Sequence, residues 1–325
     1  MTAYRRLGIS GLSVSVVGLG CNNLGRANTV TESQEGTDAV VHAALDAGVT
    51  LFDVADNYGK EPGLSETMLG KALAGRRDTA VVATKFGMDL RGANGPDFGA
   101  RGSRRYIVRA AEASLRRLGT DWIDLYQFHT PDPLTPIDET LSALDDLVTS
   151  GKVRYIGHSN RAGWQIAEAE FVARANGGTR FISTQNHYNL LDRRAELEVT
   201  PAAEAYGLGV LPYFPLANGL LTGKYSPDTA PAGSRLSHTR TNMVHDADWD
   251  QLGRFSAFAA ERDLTEVQVA FSWLAAQPSV GSVIAGATKP EQIRQNAEAV
   301  AWTPTPAELD ELDTIFPKVP KVALF

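Results

Sequence analysis

The feature that most constrains the fold is a repeated pattern in which a short apolar, β-branched run is followed by a helical pattern and then a glycine. Several of the runs are apolar at every position, as in strands that are buried on both faces of a sheet. A glycine just after a helical pattern is typical of a helix end. Alternation of this kind predicts βαβ units around a parallel sheet. The eight runs cover residues 14–17, 49–52, 80–83, 123–128, 153–156, 181–183, 209–211 and 282–284.

The spacing of the strands indicates how many units there are. The predicted strand ends fall near residues 18, 53, 85, 128, 157, 184, 214 and 285, and most intervals are about thirty residues. A TIM barrel of roughly 250 residues in eight units has this interval. We therefore predict an α/β protein with a single (β/α)8 domain over residues 1–325.

Three segments depart from the regular interval. Residues 5–7 and 12–13 are predicted to form a β-hairpin that caps the bottom of the barrel. Residues 89–103 form a long loop after the third strand, and residues 217–241 open an insertion after the seventh strand. Long loops in a compact fold usually belong to lids or binding sites.

A doubly wound sheet is the alternative architecture. Its dinucleotide signature is G-x-G-x-x-G at the start of a helix. The chain has Gly18 and Gly20, but Asn23 replaces the third glycine and no helical pattern follows. Residues 219–224 lack the spacing of a P-loop, and there is no H-E-x-x-H sequence. These differences favour the barrel.

Composition excludes several classes of function. Lys and Arg number 31 against 38 Asp and Glu, so the net charge is −7, which disfavours a nucleic-acid binder. The single cysteine, Cys21, excludes an intrachain disulfide, and we predict no metal site. No apolar run reaches 18 residues and no secretory leader is evident, so we expect a cytoplasmic protein without membrane contact.

Four residues near the ends of three neighbouring strands suggest catalysis. The pKa of an ordinary tyrosine is about 10, which makes Tyr58 a poor proton donor at neutral pH. An ammonium group at Lys85 would lower that pKa, and Asp53 can pair with the ammonium. His129 can hydrogen-bond a substrate oxygen and polarise a carbonyl. Singly, each has an ordinary structural explanation; together they predict a general acid with an electrophilic site for a carbonyl or alcohol.

The motifs around these residues resemble those of the aldo-keto reductase superfamily, in particular bacterial members related to potassium-channel β-subunits. The resemblance covers about residues 4–300, with the motifs in family order. The motifs are FDVADNYG at 52–59, TKFG at 84–87, DLYQFH at 124–129, GHSN at 157–160, Gln185, YFPL at 213–216 and GATKPEQ at 286–292.

This resemblance implies that Tyr58 is the proton donor, that Lys85 and Asp53 tune it, and that His129 orients the carbonyl. It also implies an NADPH molecule that lies extended across the strand ends. The residues expected around that cofactor are Cys21 and Asn22 beside the pocket; Ser159, Asn160, Gln185 and Tyr213 at the nicotinamide; Phe214, Pro215, Leu216, Gly219, Leu220, Lys224 and Arg235 at the pyrophosphate; and Gly286, Thr288, Gln292, Gln295 and Asn296 at the adenosine end.

Three positions depart from the family pattern, and one of them is Gln295, which stands where many relatives have Glu. Gln292 stands where some branches carry an arginine that grips the 2′-phosphate, and Lys289 or Arg294 would have to replace it. NADP(H) is nevertheless expected in preference to NAD(H). His158 stands where a small apolar residue is usual, and we interpret it as a packed strand residue.

The predicted function is the reversible reduction of an aldehyde or ketone, a small-molecule substrate, by NAD(P)H. One alternative is an NADPH-binding regulatory protein of the channel β-subunit type, some of which carry Asn in place of His129. Another is a Schiff-base lyase that uses Lys85. The pocket walls are expected from residues 22–28, 86–103, 217–241 and the tail through Phe325.

Overall fold

Parallel strands close into a barrel in the computed structural model, which describes residues 3–320 except residues 228, 232 and 238. In chain order, and after a two-stranded hairpin of β1 (Tyr4–Arg6) and β2 (Ser13–Ser15), the barrel strands are β3 (Val17–Gly20), β4 (Leu51–Asp53), β5 (Val81–Phe86), β6 (Ile123–Phe128), β7 (Val153–Ser159), β8 (Ser183–Gln185), β9 (Gly209–Val210) and β10 (Val283–Gly286). Neighbours in sequence are neighbours in space, and β10 pairs with β3.

The two ends of this sheet meet just before β10. Val210 forms a parallel bridge with Val280, and the Gly281 N–H donates to the Val210 carbonyl at 2.9 Å. Farther along, the Ile284 N–H donates to the Pro212 carbonyl at 3.2 Å. The predicted α/β TIM-barrel fold is therefore confirmed.

The helices alternate with the strands as the sequence pattern predicts. Gly119 and Gly177 end α3 and α5 in the left-handed conformation, with φ of 62° and 64°. The helices are α1 (Gln34–Asp46), α2 (Leu64–Ala72), α3 (Arg104–Leu118), α4 (Ile137–Thr149), α5 (Gly163–Asn176), α6 (Ala195–Tyr206), α7 (Asn242–His245), α8 (Trp249–Ala260), α9 (Glu266–Ala276), α10 (Pro290–Glu298) and α11 (Pro306–Ile315). None of the helices among the described residues combines the length and apolar character needed to cross a bilayer.

The hairpin caps the barrel at its amino-terminal end, as predicted, but the first strand is placed differently. Leu7 and Val14 pack with Leu51, Leu125 and other side chains of the barrel interior. The predicted run 14–17 covers the end of β2 and the start of β3. Valines continue across the junction with no glycine or proline, so the pattern does not mark the break.

Strand alternation decides which side chains reach the upper end of the barrel interior. Val81 and Ala83 pack inside the barrel, so Lys85 continues the same face of β5. By the same period of two, Leu125 of β6 is followed on the inner face by Gln127. Outward-facing residues pack against the helices. One of them is His158, which is fully buried and meets the Phe181 ring edge-on with centroids 4.9 Å apart.

Both predicted long loops are present. Residues 87–103 connect β5 to α3, and a longer segment with α7 and α8 separates β9 from α9. This segment begins with an unusual backbone: Phe214, Ala217 and Asn218 have φ of 54°, 47° and 59°. Left-handed conformations at residues other than glycine carry strain and concentrate at functional sites.

Candidate active site

A lysine at the end of β5 joins an aspartate and a tyrosine from the preceding strand and loop. The Lys85 Nζ donates to Asp53 Oδ2 at 2.8 Å, to the Val54 carbonyl at 3.0 Å and to the Tyr58 hydroxyl at 3.3 Å. Three acceptors match the three donors of an ammonium group. The lysine is fully buried, so its charge is held in place between the carboxylate and the phenol.

The second oxygen of Asp53 is held as firmly as the first. Asp53 Oδ1 accepts from Gln185 Nε2 at 2.8 Å and from Gln127 Nε2 at 3.3 Å. Gln127 comes from β6 and Gln185 from β8, so the carboxylate joins three strand ends across the barrel interior. Gln127 lies within the DLYQFH motif at the end of its strand, but it was given no role from the sequence; its inward position next to Lys85 in the register is the signal for that role.

The protonation of Lys85 is set by competition between burial and the charges around it. Burial by itself would lower the pKa of Lys85, but Asp53 and Tyr58 together raise that pKa above its usual value. Lys85 is therefore a stable cation. A Schiff-base lyase needs an accessible neutral amine, and a buried ammonium in an ion pair argues against that alternative.

Tyr58 remains a neutral phenol in this environment. Burial, the largest influence, raises the pKa of Tyr58, while Lys85 lowers it and Asp53 raises it. The net direction is opposite to the lowering that the sequence suggested, because the loop and neighbouring side chains remove the hydroxyl from water. A phenol that keeps its proton at neutral pH, beside a cation able to stabilise the phenolate, is a competent proton donor.

His129 lies next to Tyr58 as an uncharged imidazole. The two rings meet edge-on, with centroids 6.0 Å apart and an interplanar angle of 81°. Burial, with a smaller contribution from Lys85, lowers the pKa of His129 to about 3. Its Nδ1 is buried and has no hydrogen-bond partner in the part of the chain that the structure describes. These facts leave a neutral ring whose hydrogen-bonding groups are available to a carbonyl oxygen.

The residues expected at a nicotinamide are together but engaged with one another. Ser159 Oγ donates to the Gln185 carbonyl at 2.6 Å, and Asn160 Nδ2 donates to the His129 carbonyl at 2.9 Å. The Tyr213 hydroxyl donates to Asn160 Oδ1 at 2.8 Å. Gln185 directs its amide nitrogen to Asp53, as described above. Ser159, Asn160 and Gln185 would exchange these internal bonds for bonds to a carboxamide.

The residues expected around a pyrophosphate begin directly after Tyr213 in the chain. Pro215 and Leu216 lie between the left-handed residues Phe214 and Ala217, and Gly219 has φ of 111°. Leu220 is buried below it. Lys224 lies over the Tyr225 ring at 5.2 Å, and the Arg235 guanidinium lies 5.3 Å from the Phe214 ring centre. Neither cation has an acidic partner within the described part of the chain, so both are free to bind an anion.

The residues expected at the adenosine end lie around the start of α10. Gln292 Oε1 accepts from the Thr288 backbone N–H at 2.8 Å and from its hydroxyl at 3.1 Å. Gly286 and Gln295 are exposed, whereas Asn296 is buried. Lys289, the residue before the helix, and Arg294 are the cations on this part of the surface.

Cys21 and Asn22, the two residues after β3 that were expected beside the pocket, differ in how deeply they are buried. Cys21 is fully buried in the core, and its Sγ contacts the Leu19 carbonyl at 3.5 Å, so it offers no surface to a cofactor. Asn22 is half-buried in the same turn. Of this pair, Asn22 is the residue placed to meet a ligand. Phe325 lies outside the described residues.

A buried polar network beneath the site was not expected from the sequence. Arg117 Nε donates to Glu66 Oε2 at 2.6 Å, and Thr84 Oγ1 donates to Glu66 Oε1 at 2.5 Å. Arg117 also donates to Asn94 Oδ1 at 3.2 Å, and Asn94 Nδ2 donates to Asp56 Oδ2 at 3.3 Å. This network ties the loop after β5 to the loop that carries Tyr58.

Comparison with known proteins gives a consistent result. The Aldo/keto reductase family model matches residues 16–316. The chain is 38% identical over 320 residues to the uncharacterized oxidoreductase YrpG of Bacillus subtilis, covering 97% of this chain and 96% of that protein. It is 36% identical to a probable voltage-gated potassium channel subunit beta of Oryza sativa, covering 98% of each. It is 35% identical to L-glyceraldehyde 3-phosphate reductase of Escherichia coli K12, covering 91% of this chain and 87% of that protein.

Proposed function

The chain belongs to the aldo/keto reductase family, and from this premise we propose that it is an oxidoreductase that reduces an aldehyde or ketone to an alcohol, with Tyr58 as the proton donor. The observation that carries the proposal is the contact of Lys85 with both Asp53 and the Tyr58 hydroxyl, at 2.8 and 3.3 Å. The Tyr58 hydroxyl satisfies one of the three donors of the buried ammonium, and the same contact brings a positive charge next to the phenol oxygen. The position of that charge suits the phenolate that forms when the proton leaves.

In this mechanism the protein supplies the proton and the electrostatic environment. A bound reduced nicotinamide would supply a hydride to the carbonyl carbon. Tyr58 gives its phenolic proton to the carbonyl oxygen, and Lys85 stabilises the resulting phenolate. His129, as a neutral ring, hydrogen-bonds the same oxygen and orients it. In the reverse direction the phenolate accepts the proton of the alcohol.

The residues present fit a nicotinamide dinucleotide. The cations Lys224 and Arg235 have no acidic partner in the described part of the chain, and they lie next to the left-handed backbone segment, which suits a pyrophosphate. We propose that Ser159, Asn160 and Gln185 hold the carboxamide, that Tyr213 stacks on the nicotinamide, and that Thr288 and Asn296 meet the adenosine. NADP(H) is preferred to NAD(H) in this proposal because Lys289 and Arg294 can face a 2′-phosphate. We also propose that the chain acts as one cytoplasmic barrel domain.

The test is the loss of nicotinamide absorbance with a panel of aldehydes and ketones, for the protein, for Tyr58→Phe and for Tyr4→Phe as a matched control. Tyr4 lies on the opposite hairpin, where its hydroxyl contacts the Gly48 carbonyl. We expect Tyr58→Phe to lose at least about a hundredfold in kcat and to keep its affinity for NADPH. Turnover by Tyr58→Phe close to that of the unmodified protein would refute this role.

A regulatory, channel-β-type protein is the second candidate, since relatives of that name match nearly the whole chain. The buried Asp53, Lys85 and Tyr58 contacts and the neutral His129 favour an enzyme. The same assay separates the two, because a regulatory protein would bind NADPH tightly while showing negligible turnover across the panel.

A further inference from the structure

The surface beside the site carries more cationic side chains than are needed to balance the negative charges of the proposed cofactor's diphosphate. From it we propose that the substrate is an anionic carbonyl compound, whose carboxylate or phosphate is bound by Arg26 and Arg240. This inference rests on the proposed function, since it names the substrate class of the same site.

Arg26 lies on the loop after β3, which is fastened to the loop of Tyr58. The Lys60 N–H, two residues beyond Tyr58, donates to the Gly25 carbonyl at 2.9 Å, and the Gly25 N–H donates to the Thr31 carbonyl at 2.7 Å. The backbone that carries Arg26 is thereby held against the backbone that carries the proton donor. Arg26 is therefore fixed, through its loop, on the Tyr58 side of the site.

Arg240 approaches from the other side, through the insertion after β9. Its guanidinium lies 5.3 Å from the Phe214 ring centre, as does that of Arg235. It is also close enough to His187 to lower the pKa of that ring, after burial as the main cause. His187 stacks in parallel on Tyr213, with centroids 5.5 Å apart and an angle of 6°. Arg240 therefore borders the proposed nicotinamide end.

Among the described residues, Arg26, Arg235 and Arg240 have no anionic partner. Arg26 makes one side-chain hydrogen bond, to the neutral Asn23 Oδ1 at 3.0 Å, and none of the three forms an ion pair within the described ranges. Burial lowers the pKa of Arg235, and repulsion from Arg26 and Arg240 lowers it further. The nearby carboxylates are engaged elsewhere: Glu32 with Lys60 at 3.5 Å, and Asp192 with Arg194 and His187 at 2.5 and 3.0 Å.

A count of charges shows why this cluster points beyond the cofactor. Lys224 and Arg235 already supply two positive charges for a diphosphate that carries two negative ones. Lys289 and Arg294 lie around the start of α10, at the proposed adenosine end. Arg26 and Arg240 remain, on the sides next to Tyr58 and His187. Like charges brought together without counterions are unfavourable, and a second bound anion removes that penalty.

The experiment compares neutral and anionic members of matched pairs as substrates of the full chain with saturating NADPH. Benzaldehyde and 4-carboxybenzaldehyde test a carboxylate, and glycolaldehyde and its phosphate ester test a phosphate. We expect kcat/KM to be about tenfold or more higher for the anionic member of at least one pair, through KM, and to fall with added salt. The pair that shows the larger ratio identifies which anion the site takes.

Variants assign the preference to the two arginines. Arg26→Met and Arg240→Met should each bring the anionic-to-neutral ratio toward one while leaving kcat for the neutral aldehyde within about twofold. Arg26→Lys should keep part of the preference, because the charge remains. Arg105→Met, an exposed arginine at the start of α3, is the control and should change nothing.

Two results would overturn the inference. One is equal kcat/KM for both members of both pairs. The other is a weaker Kd for NADPH in Arg26→Met and Arg240→Met with an unchanged substrate ratio, which would assign both arginines to the cofactor. Turnover of the neutral aldehydes keeps the proposed function intact in either case. Absence of turnover with every carbonyl would instead contradict the proposed function itself.

Discussion

Gln185 donates its side-chain amide to Asp53 at 2.8 Å, although 132 residues separate the two in sequence. The contact spans the barrel interior from β8 to β4, and it uses the carboxylate oxygen that Lys85 leaves free. Both oxygens of Asp53 consequently accept hydrogen bonds, three in all. A buried carboxylate with this many donors is fixed in orientation.

Asp53→Asn should therefore lower kcat about ten- to a hundredfold with little effect on the KM for NADPH. Without the anion, Tyr58 alone opposes the effect of burial and the raised pKa of Lys85 falls, so Lys85 loses its proton at a lower pH. The alkaline decline of kcat/KM should move to lower pH. The check is a rate profile from about pH 6 to about pH 10. Asp146→Asn, which removes an exposed partner of Arg104, is the control. An unchanged alkaline limb would contradict this account of Lys85.

Arg117→Met should destabilise the fold through the buried carboxylate that it leaves without its ion pair. Glu66 is fully buried, and Arg117 contacts it at 2.6 Å. Removing one member of such a pair costs about 3 kcal/mol in the free energy of unfolding. Urea unfolding measures this cost. The double variant Arg117→Met, Glu66→Leu should recover part of the loss, because no unpaired charge remains. A single variant as stable as the unmodified protein would show that the pair contributes little.

His158→Val should make the protein more resistant to acid. Burial holds the pKa of His158 well below its ordinary value, and neither ring nitrogen has a hydrogen-bond partner among the described residues. The unfolded chain takes up a proton below about pH 6.5, whereas the folded chain does not, so stability is lost as pH falls. From about pH 7 to about pH 5 this loss is about 2 kcal/mol. The difference in unfolding free energy between variant and unmodified protein should grow in favour of the variant over that range. The same comparison above pH 8 or so gives the packing cost alone.

Asn94→Ala should raise the KM for the carbonyl substrate and leave kcat nearly unchanged. Asn94 connects Arg117 and Asp56, and with them the loop after β5 and the loop of Tyr58. Removing the Asn94 side chain releases the loop after β5, which is expected to form a pocket wall, and leaves the proposed catalytic groups unchanged. Limited proteolysis within residues 87–103 should therefore become faster. Arg91→Ala changes an exposed residue of the same loop and serves as the control. A fall in kcat at constant KM would contradict this role.

The fold was predictable from the sequence because local patterns agree with the barrel at every level. Apolar runs, helical patterns and terminal glycines place each βα unit, and strand alternation places Lys85 on the inner face. The junction of β2 and β3 was not predictable, since Val14, Val16 and Val17 read as one strand. Its break depends on Ser15, whose hydroxyl donates to the Val17 carbonyl at 2.6 Å.

The candidate site was predictable as a set of residues but not in its energetics. The direction of the Tyr58 pKa shift depends on burial by residues far away in sequence, and no motif carries that information. The same holds for Gln127 as a partner of Asp53 and for Asn94 between two loops. These are contacts between elements, so they become visible only when the strand ends are brought together.

Residues with different proposed roles also lie in different halves of the chain. The proposed proton-transfer residues come from β4 to β6, in the first half, while most proposed cofactor contacts come from β7 to β10 and the insertion. Cofactor preference can therefore change by substitutions in the second half that leave the proton donor and its lysine untouched. Gln185 is the exception, because a change there reaches Asp53 directly. Exchange of carboxyl-terminal half-barrels between related chains should then work best when this glutamine is kept.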